Sequence, residues 1–484
     1  MNGPEASTMN PATIATPQTA AVSFREPGAI LLVSCYELGH QPLALASPLG
    51  FLERAVYCPD ALDISVERLD AGKVARARFV GISVPMHTAL RLGVRVAAEV
   101  RRLNPGCHIC FYGLYASLNA QYLLAHGGDS VLGGEFESAL VGLVEAQEAG
   151  GPDLVEGVYL PDRPARPVLK RLGFALPSRR ALPRLPKYAH LERDGERRLV
   201  GYVEASRGCL HMCLHCPIPP VYGGRFFVVA QAIVLEDIRR LVGAGATHIT
   251  FGDPDFLNGP GHSLSVARAL HAEFPTVTFD FTAKVEHILE REELFPELRR
   301  LGCVFMISAV ESLSDTVLAN LEKGHTRADV YRALGIVTDA GIAFRPTWVA
   351  FTPWTSLEDY VEMLEFVERE QLIDHVDPVQ FSLRLLIPPG SALLAREAIK
   401  PHLGPLDQAS FSYRWTHPDP RMDRLQQDAS RLVEAATRSG EDAGVTFYRL
   451  KALAGAVLGV PLQAAPALAP DRRRPPRLTE AWFC

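Results

Sequence analysis

The chain has 484 residues, of which 48% are apolar and 21% charged, an ordinary globular balance with room for more than one large core. A net charge of −6 gives no electrostatic case for a nucleic-acid partner, and no apolar run is long enough for a membrane-spanning helix. Nine cysteines scattered over so long a chain do not make a disulfide framework, so the expected setting is the cytoplasm.

Residues 1–25 are rich in Ala, Thr and Pro and lack a basic start followed by an apolar core, which predicts a disordered leader and not a signal peptide. From 26 to 150, short apolar runs alternate with helical spacing. Runs at 29–33, 63–66, 79–84, 107–113 and 129–135 read as buried strands, and 90–103 reads as a helix stopped by Asn104-Pro105-Gly106. That alternation predicts a doubly wound α/β domain, which binds ligands beyond the C-terminal strand ends. Cys35 falls at such an end and is a candidate substrate contact. Cys107 and Cys110 are three apart in an expected strand, so they point to opposite faces and are not a redox pair. Residues 151–197, rich in Pro and Arg, read as a linker.

The next segment carries the chemistry. Cys209, Cys213 and Cys216 stand in a C-x₃-C-x₂-C spacing on a loop after the apolar run 199–203. Three thiolates on one loop suit an iron–sulfur cluster with one iron left open. The spacing alone also allows zinc, with His211 or His215 as a fourth ligand, and hence a non-catalytic thiol–metal protein.

With its flanking Ser206-Arg207-Gly208, this loop resembles the radical S-adenosylmethionine (radical SAM) superfamily. The resemblance implies a [4Fe–4S] cluster on the three cysteines, SAM on the open iron, a partial (β/α)₆ barrel over 198–395, and an electron donor such as flavodoxin or ferredoxin. His215 stands where the family usually has an aromatic residue, and its ring can stack on adenine. Further along, Gly252-Asp253-Pro254-Asp255 occupies the place of the motif that holds the SAM amino group. Glu311 and Ser312 resemble the pair near the SAM ribose and amine, and Arg345 lies where an arginine often forks to the SAM carboxylate. Lys323-Gly324-His325-Thr326 matches a motif of cobalamin-type members, read as a helix-end feature. About six parallel strands are expected, the last over 378–386, followed by a helical region over 396–484 that covers the barrel mouth.

In this setting residues 26–150 resemble the cobalamin-binding domain found in front of many radical SAM enzymes. The matching turns carry Gly113 and Ser117 after the fourth strand, and Gly134 and Glu135 after the fifth. Small residues there would let a corrin tail approach the backbone. The D-x-H-x-x-G motif that supplies an axial histidine is absent, so a bound cobalamin would lack that ligand.

The sequence ends in Trp482-Phe483-Cys484. Together with the Cys216-Pro217-Ile218-Pro219-Pro220 stretch, this ending resembles radical SAM proteins with a CUAEP or CCAEP tail, where U is selenocysteine. The expectation is that the codon after Cys484 is UGA. Cys484 is then a candidate ligand for a soft atom such as arsenic, the acceptor of a 3-amino-3-carboxypropyl group from SAM. The alternative is a cobalamin-dependent methyl transfer, and in both cases the partner is a small molecule.

Overall fold

The computed structural model describes residues 23–151, 155–460, 472 and 474–479. Most of the expected leader, and Cys484, lie outside the described residues. Among the described residues no helix is long and apolar enough to cross a membrane.

Five short runs build a first, wholly parallel sheet: β1 (Ile30–Ser34), β2 (Asp60–Asp63), β3 (Phe79–Ser83), β4 (His108–Tyr112) and β5 (Ser130–Leu132). Their order is β2-β1-β3-β4-β5, with the topological switch between β1 and β3. β1 and β3 are buried along their whole length, as apolar runs covered by helices on both faces must be. Helices Leu43–Arg54 and Glu137–Glu148 cover one face and His87–Leu103 the other. The strand expected over 63–66 instead ends at Asp63, whose carboxylate accepts from the Ser65 N–H and hydroxyl and turns the chain. Cys107 and Cys110 fall in separate cores on opposite faces, as strand alternation requires.

The segment after this sheet is not a free linker. Tyr159 bridges to Val131, and Val168 lies beside Gly134, with its N–H donating to the Gly133 carbonyl and its carbonyl accepting from Glu135.

A hairpin of β6 (His190–Arg193) and β7 (Glu196–Val203) opens the second sheet. A small ribbon, β8 (Ser206–Gly208) with β9 (Phe226–Val228), brackets the cysteine loop. Then come β10 (His248–Phe251), β11 (Thr278–Ala283), β12 (Cys303–Glu311) and β13 (Ala343–Trp348), parallel to one another and to β7. A hairpin of β14 (Leu403–Asp407) and β15 (Ser412–Trp415) stands apart, while β16 (Arg477–Leu478) extends the barrel sheet beyond β6.

The half-barrel therefore has five parallel strands and not about six. The sixth run begins at Pro378, which cannot donate to a ladder. It winds into a 3₁₀ turn (Pro378–Ser382) and touches the sheet only through a Phe351–Arg384 bridge. The two C-terminal helices, Pro420–Ser439 and Ala443–Leu458, share one core with the barrel's outer helices. They extend that layer beside Leu357–Arg369.

Candidate functional site: a cysteine loop between two sheets

Both sheets turn the C-terminal ends of their strands toward a cavity of about 420 Å³. Glu37, Gly113 and Glu137 line it from the first sheet, and Tyr202, Glu204 and Gly208 from the second.

The cysteine loop starts at Gly208, where φ is +76° and a Cβ would lie 2.4 Å from the Arg225 carbonyl oxygen, so the position needs glycine. Cys209 N–H donates to that same carbonyl, and Cys216 N–H donates to the Cys213 carbonyl, folding the three thiols inward. Cys209 and Cys213 are buried and Cys216 partly so. Burial pushes the Cys216 thiol up to about 12, and the neighbouring Cys213 and Cys209 add to the push.

Next to the thiols lies a buried ion pair with a histidine against it. Glu311 Oε1 is 3.2 Å from Lys323 Nζ and 3.3 Å from His215 Nε2. Burial alone would raise the Glu311 carboxyl, but Lys323 and then His215 outweigh it and hold it at about 2. Glu311 is held at φ +66°, a conformation costly for a residue with a side chain. Burial works against the Lys323 charge, yet Glu311, then Cys213 and Cys216, hold it up. Two buried nitrogens nearby in the sequence-predicted set lack hydrogen-bond partners among the described residues: His215 Nδ1 and Arg345 Nη1. Asp377 pairs only with the other arm of Arg345, at 3.2 Å. Ser312 caps the following turn, its hydroxyl accepting from Ser314 N–H.

Asp253 and Asp255 are spent on the scaffold. Asp253 accepts from Ala205 N–H and the Ser206 hydroxyl, tying β10 to the start of the cysteine loop, and burial raises its carboxyl to about 7. Asp255 accepts from Leu257 N–H, Lys284 N–H and His287 Nδ1. Neither carboxylate keeps an oxygen without a partner.

Of the residues read for cobalamin, Gly113 and Gly134 line the cavity, but the cradle over Gly134 is filled by the chain itself. Its φ is +73°, and a Cβ would lie 2.2 Å from the Val168 carbonyl oxygen. Ser117 packs on Gly133 in the same way. Glu135 is fully buried, accepts from Tyr222 OH and keeps Oε2 without a hydrogen-bond partner, as does Glu137. Cys35 is a core thiol, pushed up to about 12 by burial and then by Asp63, and so offers no thiolate.

Sequence reasoning missed the residue that joins the two halves. Arg207 Nη1 reaches Glu137 at 2.5 Å and its Nε reaches Glu204 at 2.9 Å, with Glu135 at 3.8 Å. Glu137 and Glu204 each look like ordinary surface residues in the sequence; no local pattern pairs positions 70 residues apart.

Residues 203–367 match the family model described as the radical SAM superfamily. A hopanoid C-3 methylase from Methylococcus capsulatus is 27% identical over 65% of this chain, which spans 62% of that protein's length. Among solved structures, the cobalamin-dependent SAM radical enzyme OxsB superposes with a TM-score of 0.68 at 16% identity, covering 84% of this chain and 67% of that one. The radical SAM methyltransferase TsrM from Kitasatospora setae, solved with cobalamin and a [4Fe–4S] cluster, gives 0.57 at 19% identity, over 71% of this chain and 70% of that one. At such identities these likenesses establish the fold: a doubly wound domain in front of a half-barrel. Within that fold, residues 203–367 form a radical SAM domain.

Proposed function

We propose that the chain cleaves SAM reductively at a cluster held by Cys209, Cys213 and Cys216 and passes the resulting carbon group to a small molecule in the interdomain cavity. The observation that carries this reading is that the cysteine loop begins at Gly208, in the wall of the cavity that both sheets face. Bound there, the cluster supplies the electron that breaks a C–S bond of SAM.

The surrounding residues suit that work. Lys323 sets a positive charge beside Cys213 and Cys216, where a cluster's thiolates would sit. Glu311, kept anionic, is an acceptor for the amine or ribose hydroxyls of SAM. Arg345 Nη1 is a buried donor for the SAM carboxylate, while Asp377 fixes the guanidinium from its other side. An electron carrier such as flavodoxin or ferredoxin would supply the reducing equivalent.

Two routes of transfer differ in what fills the cavity. A corrinoid there would carry a methyl group between SAM and acceptor. Glu137, in the cavity wall, has an oxygen without a hydrogen-bond partner among the described residues, and it would accept from the amide N–H groups that rim a corrin. The second route, direct 3-amino-3-carboxypropyl transfer to a soft acceptor, is favoured by the closed Gly134 cradle, where Val168 takes the space expected for a corrin tail.

Anaerobic reconstitution with iron and sulfide, then SAM and dithionite with and without cobalamin, tests both. S-adenosylhomocysteine formed only with cobalamin is the result expected of the methyl route. Methylthioadenosine independent of cobalamin is the result expected of the other. Neither product, from protein with an intact cluster, overturns the proposal.

A further inference from the structure

Beside the cysteine loop, on the side of β10 and β11, lies a second group of metal-ligating side chains that the proposed reaction does not use. His211, in the loop itself, has both ring nitrogens engaged by residues that follow these strands. His211 Nε2 lies 3.4 Å from His287 Nδ1 and 3.5 Å from Asp255 Oδ2, and His287 Nδ1 lies 2.9 Å from the same oxygen. The three donor atoms make a triangle with two long edges and one short one.

Hydrogen bonding accounts for only one edge of it. The 2.9 Å edge is an N–H donated by His287 to Asp255, whereas the other two edges are long for hydrogen bonds. His211 Nε2, which faces both the carboxylate oxygen and the His287 ring, makes no short hydrogen bond to either. A tetrahedral ion with bonds of about 2.0–2.1 Å sets its donors about 3.4 Å apart, which is the length of the two edges that meet at His211 Nε2, while the 2.9 Å edge would have to open.

The surroundings are built for the same purpose. Asp255 is fixed before any ion arrives, since Leu257 and Lys284 N–H groups hold its two oxygens. Although burial would raise its carboxyl, His211 and His287 hold it low, so the ligand is anionic. Glu286 Oε2 lies 3.5 Å from His211 Nδ1, placed to accept the proton that a metal-bound ring carries on its other nitrogen. Lys284 brings a positive charge to the same ring, 3.3 Å from Nδ1, but Glu286 pairs with it at 2.9 Å. His211 and His287 keep side-chain exposures of 14% and 11%, while Asp255 is buried behind them.

We propose that His211, Asp255 and His287 form a mononuclear site for a borderline divalent cation of the zinc class, separate from the three-thiolate claw. Two imidazoles and a carboxylate with an open position suit zinc or ferrous iron and not magnesium or calcium.

The test uses the full chain with its iron–sulfur cluster assembled, treated with chelator and then titrated with cobalt(II) as a spectroscopic stand-in for zinc. One equivalent of cobalt with d–d bands of a four- or five-coordinate nitrogen–oxygen site is expected. H287A should bind at least tenfold more weakly while retaining its four irons, and H287Q serves if H287A fails to fold. No d–d bands in the wild type would overturn the site, as would equal cobalt binding by the variant. Thiolate-to-cobalt charge-transfer bands that persist in H287A would overturn it too, since the ion would then lie on the cysteines. Because the readout is metal binding and not SAM cleavage, the outcome is independent of the proposed reaction.

Discussion

The two parallel sheets aim their strand ends at one cavity but handle buried charge in opposite ways. On the barrel side, carboxylate and cation meet in close sets: Glu311 with Lys323 and His215, and Arg345 with Asp377. On the other side, Glu135 and Glu137 gather with Glu204 around a single cation, Arg207, which comes from the barrel. Burial works against the Arg207 charge, but Glu137, Glu204 and Glu135 outweigh it and hold it well above its ordinary range. The first domain therefore does not balance its own strand-end charges and depends on the second to do so. The sheets are chemically one unit, and the cavity between them forms only when both are present.

The sharpest break in this comparison is at the cysteines. Replacing Cys213 by Ala should abolish cluster assembly and all SAM cleavage while leaving the fold in place, as read by iron content and circular dichroism. Next in size, R207M strips the shared cation from three buried carboxylates and should cost about 3–5 kcal/mol in urea unfolding. Adding E137Q should recover part of that loss, because the two sites are coupled.

The Gly134 cradle gives a smaller effect. G134A must place a Cβ against the Val168 carbonyl at positive φ and should cost roughly 2–3 kcal/mol, with faster proteolysis of the segment around Val168 as the local readout. An unchanged stability would mean that this segment does not sit on the glycine in solution.

The smallest effect is a slope. Burial, and then Glu204, raises the Glu37 carboxyl to about 8 in the folded chain. An acid whose folded value lies above its unfolded one binds more protons when folded, so its contribution to stability falls as pH rises. The window runs from the ordinary carboxylate value, about 4.3, to about 8. E37Q should flatten the fall in unfolding free energy between these limits, and an unchanged slope would show that Glu37 is not the titrating group.

Much of this protein is determined by its sequence alone. The apolar runs that became β1, β3 and β4 are local, and burial on both faces follows from their composition. The C-x₃-C-x₂-C loop is equally local: its ligands lie within eight residues, so no long-range contact is needed to recognise it. Tertiary structure decided what depends on distant partners. The run from Pro378 wound into a 3₁₀ turn where a strand was expected. Val168 reached back over Gly134, turning an expected ligand cradle into an internal packing contact. Asp255 was read as a SAM contact from its motif, yet the fold brings His211 and His287 to it across 44 and 32 residues. Nothing in the spacing of those three residues marks them as a set. The physical reason is the same in each case: a side chain's chemistry is written in its type, but its partners are set by where β10, β11 and the cysteine loop end in space.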